Sequence, residues 1–132
     1  MTKSYNSQEA LETARNFFVR IKEAHNRYQE LYALVGKCDR ETTDIVHDIE
    51  LNDFTAKEGN LKARALRRVR RERRVAKDEM EYVAAFKRVK EKYKNLEQDL
   101  ETLYNTLVDI KARHEKRIYT PRESQVIVDE NE

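Results

Sequence analysis

A chain of 132 residues with 27 Lys and Arg, 25 Asp and Glu, two Gly, one Pro and no Trp has the length of about one domain and a composition biased towards long helices. Its net charge of only +2 and its 39% apolar residues exclude the low-hydrophobicity, high-net-charge class of disordered chains. One cysteine, Cys38, excludes an intrachain disulfide and a multi-cysteine zinc site, and no apolar run approaches the ~20 residues that span a bilayer.

The start, MTKSYNSQEA, lacks the apolar core of a signal peptide, and a lone unpaired cysteine fits a reducing compartment, so a cytoplasmic protein is expected. The first helix is marked by Leu11, Ala14, Phe18, Ile21, His25, Tyr28, Tyr32 and Val35, which alternate steps of three and four residues. Ser7 is its expected N-cap and Gly36 its expected stop. The two seam histidines, His25 and His114, are read as polar residues that set register.

Asp39, followed by Glu41, is placed to cap a second helix carrying Ile45, Ile49, Ala56, Ala63 and Leu66 inward. Thr55 and Glu58 also match the S/T-x-x-E capping box, which offers the alternative of a break near Asn52–Phe54. Gly59 costs about 1 kcal/mol in a helix interior relative to Ala, and its presence is read as the close approach of a bulky ring, Phe17 or Phe18.

The third segment carries Tyr82, Phe86, Val89, Tyr93, Leu96, Leu100, Leu103, Leu107, Ile110 and His114 at heptad spacing, with no interruption expected before Pro121. This seam is the candidate oligomer contact. It is out of phase with the stripe just before it, Leu66, Val69, Ala76, Met80 and Val83. Either a new helix starts with Asp78 as cap and Glu81 at its third position, or one long helix rotates its buried face near residues 78–82. After Pro121 the sequence RESQVIVDENE is polar and acidic around Val126–Val128, which divides the chain into a helical domain, 1–120, and a flexible acidic tail, 121–132.

RALRRVRRERRVAKDEMEY, residues 64–82, holds the densest charge. From 62 to 77 the positive side chains are Lys62, Arg64, Arg67, Arg68, Arg70, Arg71, Arg73, Arg74 and Lys77, against Glu72 alone. At 100° per residue Arg64, Arg67, Arg68 and Arg71 share one flank, Arg70, Arg74 and Lys77 another, and Arg73 lies at the edge of the apolar stripe. Guanidinium forks bind carboxylate and phosphate bidentately, so residues Arg64 to Lys77 are the candidate partner-binding set. A nucleic acid would be held by its backbone, because the stretch lacks Asn or Gln to read bases. Residues 39–53 are acidic through Asp39, Glu41, Asp44, Asp48, Glu50 and Asp53, and antiparallel packing would set those acids against the arginines, in self-assembly or simply as a solvated face.

Signals for chemistry are weak. Two glycines cannot build a phosphate-cradling loop, and no P-loop or serine-nucleophile motif is present. Asp44, His47 and Glu50 share a helix spacing, but the second Glu-x-x-His pair of a di-iron bundle is missing. No metal, no cofactor and no catalysis are expected.

Residues 42–82, TTDIVHDIELNDFTAKEGNLKARALRRVRRERRVAKDEMEY, with YTPR at 119–122, resemble small uncharacterised helical proteins of Gram-positive phages and prophages, most distinctively at RRVRRERRVAKDE. The resemblance implies a chain made in the cytoplasm of an infected bacterium, acting by occupying a host macromolecule such as host defence machinery. The expected architecture is all-α and without sheet: three long helices, the last two continuous or not, in an antiparallel bundle or coiled coil. Seams of this length exceed what one chain can cover, so a homo-oligomer is expected. The expected function is a non-catalytic accessory protein that binds and modulates a host protein with an acidic surface through its arginine-rich helix; a backbone-driven nucleic-acid binder and a self-assembling structural protein are the alternatives.

Overall fold

The computed structural model describes residues 1–119 and 122, so the Val126–Val128 segment and the rest of the expected tail lie outside the described residues. The fold is all-α: α1, Ser7–Leu51; α2, Ala56–Lys92; and α3, Leu96–Glu115. Among the described residues there is no strand, and no helix is long and apolar enough to cross a membrane.

The first helix is longer than its sequence signals suggest. Its N-cap is Asn6, one residue before Ser7, whose side-chain oxygen accepts from the Glu9 amide at 2.9 Å. It runs through Gly36 without interruption for 45 residues, or about 67 Å. The reason is the seam, because Val35 and Cys38 are both buried on either side of that glycine, and burying them outweighs the ~1 kcal/mol cost of glycine in a helix. Asp39 is consequently a mid-helix residue and caps nothing. The seam itself is shifted from the expected one: Ala24 and Leu31 are buried where His25 and Tyr32 were expected, and the latter two are exposed.

The chain turns at Asn52–Thr55, so the alternative break at the capping box is the one adopted, in place of a helix start at Asp39. The Glu58 amide donates to the Thr55 hydroxyl at 3.2 Å and the Thr55 amide donates to the Glu58 carboxylate at 3.3 Å, so both orphan donors of the helix start are satisfied. Phe54, just before the cap, lays its ring over Gly59. Close approach is the role expected of Gly59, but the ring is that of Phe54 and not of Phe17 or Phe18. The two glycines therefore respond differently to alanine. A Cβ on Gly36 would meet only the Arg40 guanidinium at 3.5 Å, whereas one on Gly59 would meet the Phe54 ring at 3.0 Å. Gly36→Ala is expected to stabilise by about 0.5–1 kcal/mol in urea unfolding, and Gly59→Ala to return none of that gain.

From there α2 continues straight through Asp78, with no new helix and no rotation of its buried face. It carries two apolar stripes at once. Leu66, Val69, Ala76, Met80 and Val83 face α1, with Val69, Ala76 and Met80 buried, whereas Val75, Tyr82, Phe86 and Val89 are exposed. The phase conflict is resolved later, at Tyr93–Asn95, where the expected unbroken heptad is interrupted. Beyond that kink the outward phase turns inward, and Leu100 is buried. Lys90 fastens the junction, its ammonium reaching Glu97 at 3.2 Å and the Lys22 carbonyl at 3.5 Å.

Antiparallel register is fixed by cross-helix pairs: Lys62 with Asp48, Arg73 with Asp39 and Glu79 with Arg27. Since α2 and α3 both pack on α1, the molecule is a hairpin two helices thick. Its core is a single line rather than a centre, with Leu31, Val35, Ala76 and Met80 packed together between Tyr28 and Val83. A line of this kind leaves one whole side of each helix open.

Candidate functional site

On the open side of the hairpin the arginine stretch of α2 passes α1. There a groove of about 870 Å³ has Leu31, Leu34, Val75 and Ala76 among its apolar lining and Arg64, Arg67, Arg68 and Arg71 among its charged lining. Arg27, Glu72 and Glu79 complete it. The four groove arginines are those that helical geometry puts on one flank, and the structure brings all four together. Arg70 and Arg74 are exposed and line no part of this groove.

Two of the expected partner-binding residues are placed differently. Arg73 lies on the inner side, its side chain only 22% exposed, where its Nε donates to Asp39 at 2.7 Å; Lys77 is half-buried. Both positions are set by the seam, which falls on every third or fourth residue of α2. A long cationic side chain there covers apolar surface with its stem and carries its charge to the rim. Lys62 does the same at the other end of the stretch, pairing with Asp48 while lying 5.3 Å from the centre of the Phe54 ring. This pairing, with help from the Asn52 amide, holds the Asp48 carboxyl below the usual carboxylate range.

The acidic block of α1 thus neutralises part of the basic block of α2, at Arg73 and Lys62. It stops there. Among the described residues no carboxylate lies within 4.0 Å of Arg64, Arg67, Arg68, Arg70, Arg71 or Arg74. Six guanidinium groups crowded on about three turns repel one another, and at the groove they do so beside apolar surface, where water screens them less.

Two groove residues carried no sequence signal. Arg27 of α1 crosses to Glu79 of α2 through a bidentate contact, Nε to Oε2 at 2.7 Å and Nη2 to Oε1 at 3.0 Å. Glu79 first, and Glu30 second, push the Arg27 guanidinium above its ordinary value. This clasp closes the lower end of the groove. It becomes legible only once the turn at 52–55 fixes the antiparallel register.

The candidate seam Tyr82, Phe86, Val89, Tyr93, Leu96, Leu100, Leu103, Leu107 and Ile110 is divided by the kink. Tyr82, Phe86, Val89, Tyr93 and Leu103 are exposed, Leu96, Leu107 and Ile110 half-buried, and only Leu100 is buried.

Cys38 is buried in α1, 1% exposed, and burial first, with Glu72 the largest charge contribution in the same direction, pushes its thiol above the ordinary value. A thiol that is both covered and protonated is a poor nucleophile. Its reaction with a disulfide reagent is expected to be slower than that of an unfolded control by at least about 100-fold, and to follow unfolding in urea. Among the described residues no group of three His, Cys, Asp or Glu is arranged to hold a metal ion; His47 contacts only Glu50, at 3.5 Å on the α1 surface.

The chain matches no family model, and no curated protein and no solved structure is significantly similar to it.

Proposed function

We propose that this chain is a non-catalytic accessory protein that captures an acidic, amphipathic helix of a partner protein in the groove between α1 and α2. One observation carries the reading: Arg64, Arg67, Arg68 and Arg71, which pair with no carboxylate among the described residues, share a groove with the exposed Leu34 and Val75. An amphipathic helix laid along two others buries its apolar face between them and meets charge at the rim. Such a helix would complete a three-helix section here, with its carboxylates paired to the guanidinium forks. The phage context is a further part of the proposal and rests on the resemblance of residues 42–82; in it the partner is a host protein, and occupying its acidic helix is the modulating act.

A nucleic acid is the second reading, favoured by the additional free charge of Arg70 and Arg74 outside the groove. It would satisfy the arginines yet leave Leu34 and Val75 in water. The two readings separate in one titration. A fluorescent peptide of about 20 residues, with Leu at heptad spacing and Glu elsewhere, is compared with its Lys counterpart and with a single-stranded oligonucleotide of about 20 nucleotides, each at two salt concentrations. The proposal expects the Glu peptide alone to bind at physiological salt. Tighter binding of the oligonucleotide, with a steep loss on adding salt, would replace it by the nucleic-acid reading.

A further inference from the structure

The lower half of the same open side, towards α3, lacks the arginine cluster and exposes large apolar side chains between charged ones. Tyr82, Phe86, Val89 and Tyr93 of α2 are 75, 41, 42 and 55% exposed, Leu103 of α3 is 46% exposed and Phe17 of α1 is 43% exposed. Two shallow grooves flank the kink. One, of about 290 Å³, runs beside Ala24, Tyr82, Val83 and Phe86 and is also lined by the charged Arg20, Glu23, Arg27 and Glu79; the other, of about 400 Å³, runs beside Ala14, Phe17, Leu100 and Leu103. The knobs that stand beside one groove have the size to fill the other.

We infer that this face is a homodimer interface, in which two hairpins pack antiparallel about a two-fold axis near Asn95 to form a four-helix section. Three features of the chain make a second copy the occupant. The first is area. A compact monomer of 15.8 kDa exposes roughly 7,300 Å², whereas this chain exposes 11384 Å². The surplus is more than the roughly 800 Å² that each partner buries in a stable pair of protein surfaces.

The second is charge. The apolar stripe is bounded on one side by Asp78 and Glu81, beside a Glu79 already held by Arg27, and on the other by Arg113, Lys116 and Arg117, beside a Lys111 that reaches Glu115 at 3.9 Å. The two blocks lie about equally far along the chain from Asn95. An antiparallel two-fold there sets each acidic block against the basic block of the other copy, as an isologous interface requires. A parallel arrangement would set like against like.

The third is fit with the grooves themselves. The same axis lays Tyr82 and Phe86 of one copy along the Leu103 groove of the other, and the reverse contact follows by symmetry. The last turn of the second copy's α3 then stops near Ala76. Arg64, Arg67, Arg68 and Arg71 project beyond the overlap, so the dimer carries one open arginine groove at each end. The inference stands independently of what those grooves bind.

Light scattering on the full chain tests it, with a mass twice 15.8 kDa expected. A monomer at about 100 μM would overturn the proposal. Tyr82→Glu with Phe86→Glu should give a monomer of unchanged far-UV helicity, since both side chains are exposed within one hairpin, with dimer affinity lowered at least about 100-fold by burying carboxylates in an apolar contact. A double variant that still dimerises would sink the assignment of this face. Surface reversals test the axis without risk to the fold: Asp78→Arg with Glu81→Arg, or Arg113→Glu with Arg117→Glu, should each weaken the dimer about tenfold. Combining all four should restore it; losses that simply add would rule out the antiparallel two-fold. Reversal of Arg64, Arg68 and Arg71 should leave the mass unchanged, which separates this interface from the binding groove.

Discussion

Val69→Asp is expected to unfold the hairpin, while Val75→Asp, six residues further along the same helix, is expected to leave it folded. The residue types and the substitutions are identical; the environments are opposite, with Val69 1% exposed and Val75 69% exposed. At position 69 the new carboxylate would be shut into the α1–α2 seam with no cation assigned to it, since the nearest inward-facing guanidinium, Arg73, is already held by Asp39. Burying an unpaired charge in this way belongs to the short list of substitutions that cost more than about 4 kcal/mol. Total stability of a domain this size is only about 5–15 kcal/mol, and a core arranged as a line has no second layer to share the load. Far-UV circular dichroism and urea unfolding should show loss of cooperative helix for Val69→Asp and a midpoint close to the native one for Val75→Asp. Equal behaviour of the two variants would contradict the two-stripe description of α2.

The legible parts of this fold were those where one local signal acted without competition. The stripe Leu66, Val69, Ala76, Met80, Val83 is the one that packs on α1. At Thr55–Glu58 the capping box offered a break only as the alternative to a helix capped at Asp39, and the chain takes that alternative. Elsewhere two signals competed, and the stronger was the less conspicuous. Gly36 and Asp39 look like a stop and a cap, but the burial of Val35 and Cys38 carries α1 through both. Heptad spacing from Tyr82 to Ile110 looks like one uninterrupted helix, and spacing alone does not distinguish a seam buried within a chain from one left open along its outside. The kink at Tyr93–Asn95 has neither Gly nor Pro to announce it. It follows from a tertiary requirement: α3 can bury Leu100 on α1 only if its phase is reset relative to α2.

The same competition sorted the arginines. Helical geometry groups Arg64, Arg67, Arg68 and Arg71 correctly, because which side chains share a flank depends on rise and rotation alone. What each flank faces depends on α1, and nothing in residues 62–77 marks Asp39 as the acid that would take Arg73 out of the accessible set. Pairing needed the register, and the register needed the turn.

That sorting gives the second large expected effect. Reversing Arg64, Arg68 and Arg71 to Glu should weaken the acidic amphipathic peptide at least about 100-fold, whereas reversing Arg70 and Arg74, which are equally charged, exposed and close in sequence, should change its affinity less than about threefold. The first set lines the groove with Leu34 and Val75; the second does not. A charge-assisted hydrogen bond beside apolar surface contributes about 1.5–3 kcal/mol, so losing two of the three already exceeds a hundredfold, and like-charge repulsion adds to the loss. An exposed cation with no fixed partner contributes at most a few tenths of a kcal/mol through a screened field. Val75→Asp offers a second route to the same end, since it sets a carboxylate inside the groove without altering any arginine, and it should compete with the peptide by about tenfold while the hairpin stays folded. Isothermal titration at two salt concentrations reads all three variants. If the two arginine sets mattered equally, affinity would track net charge, the apolar floor would be incidental, and the binding surface would be the whole cationic helix rather than the groove.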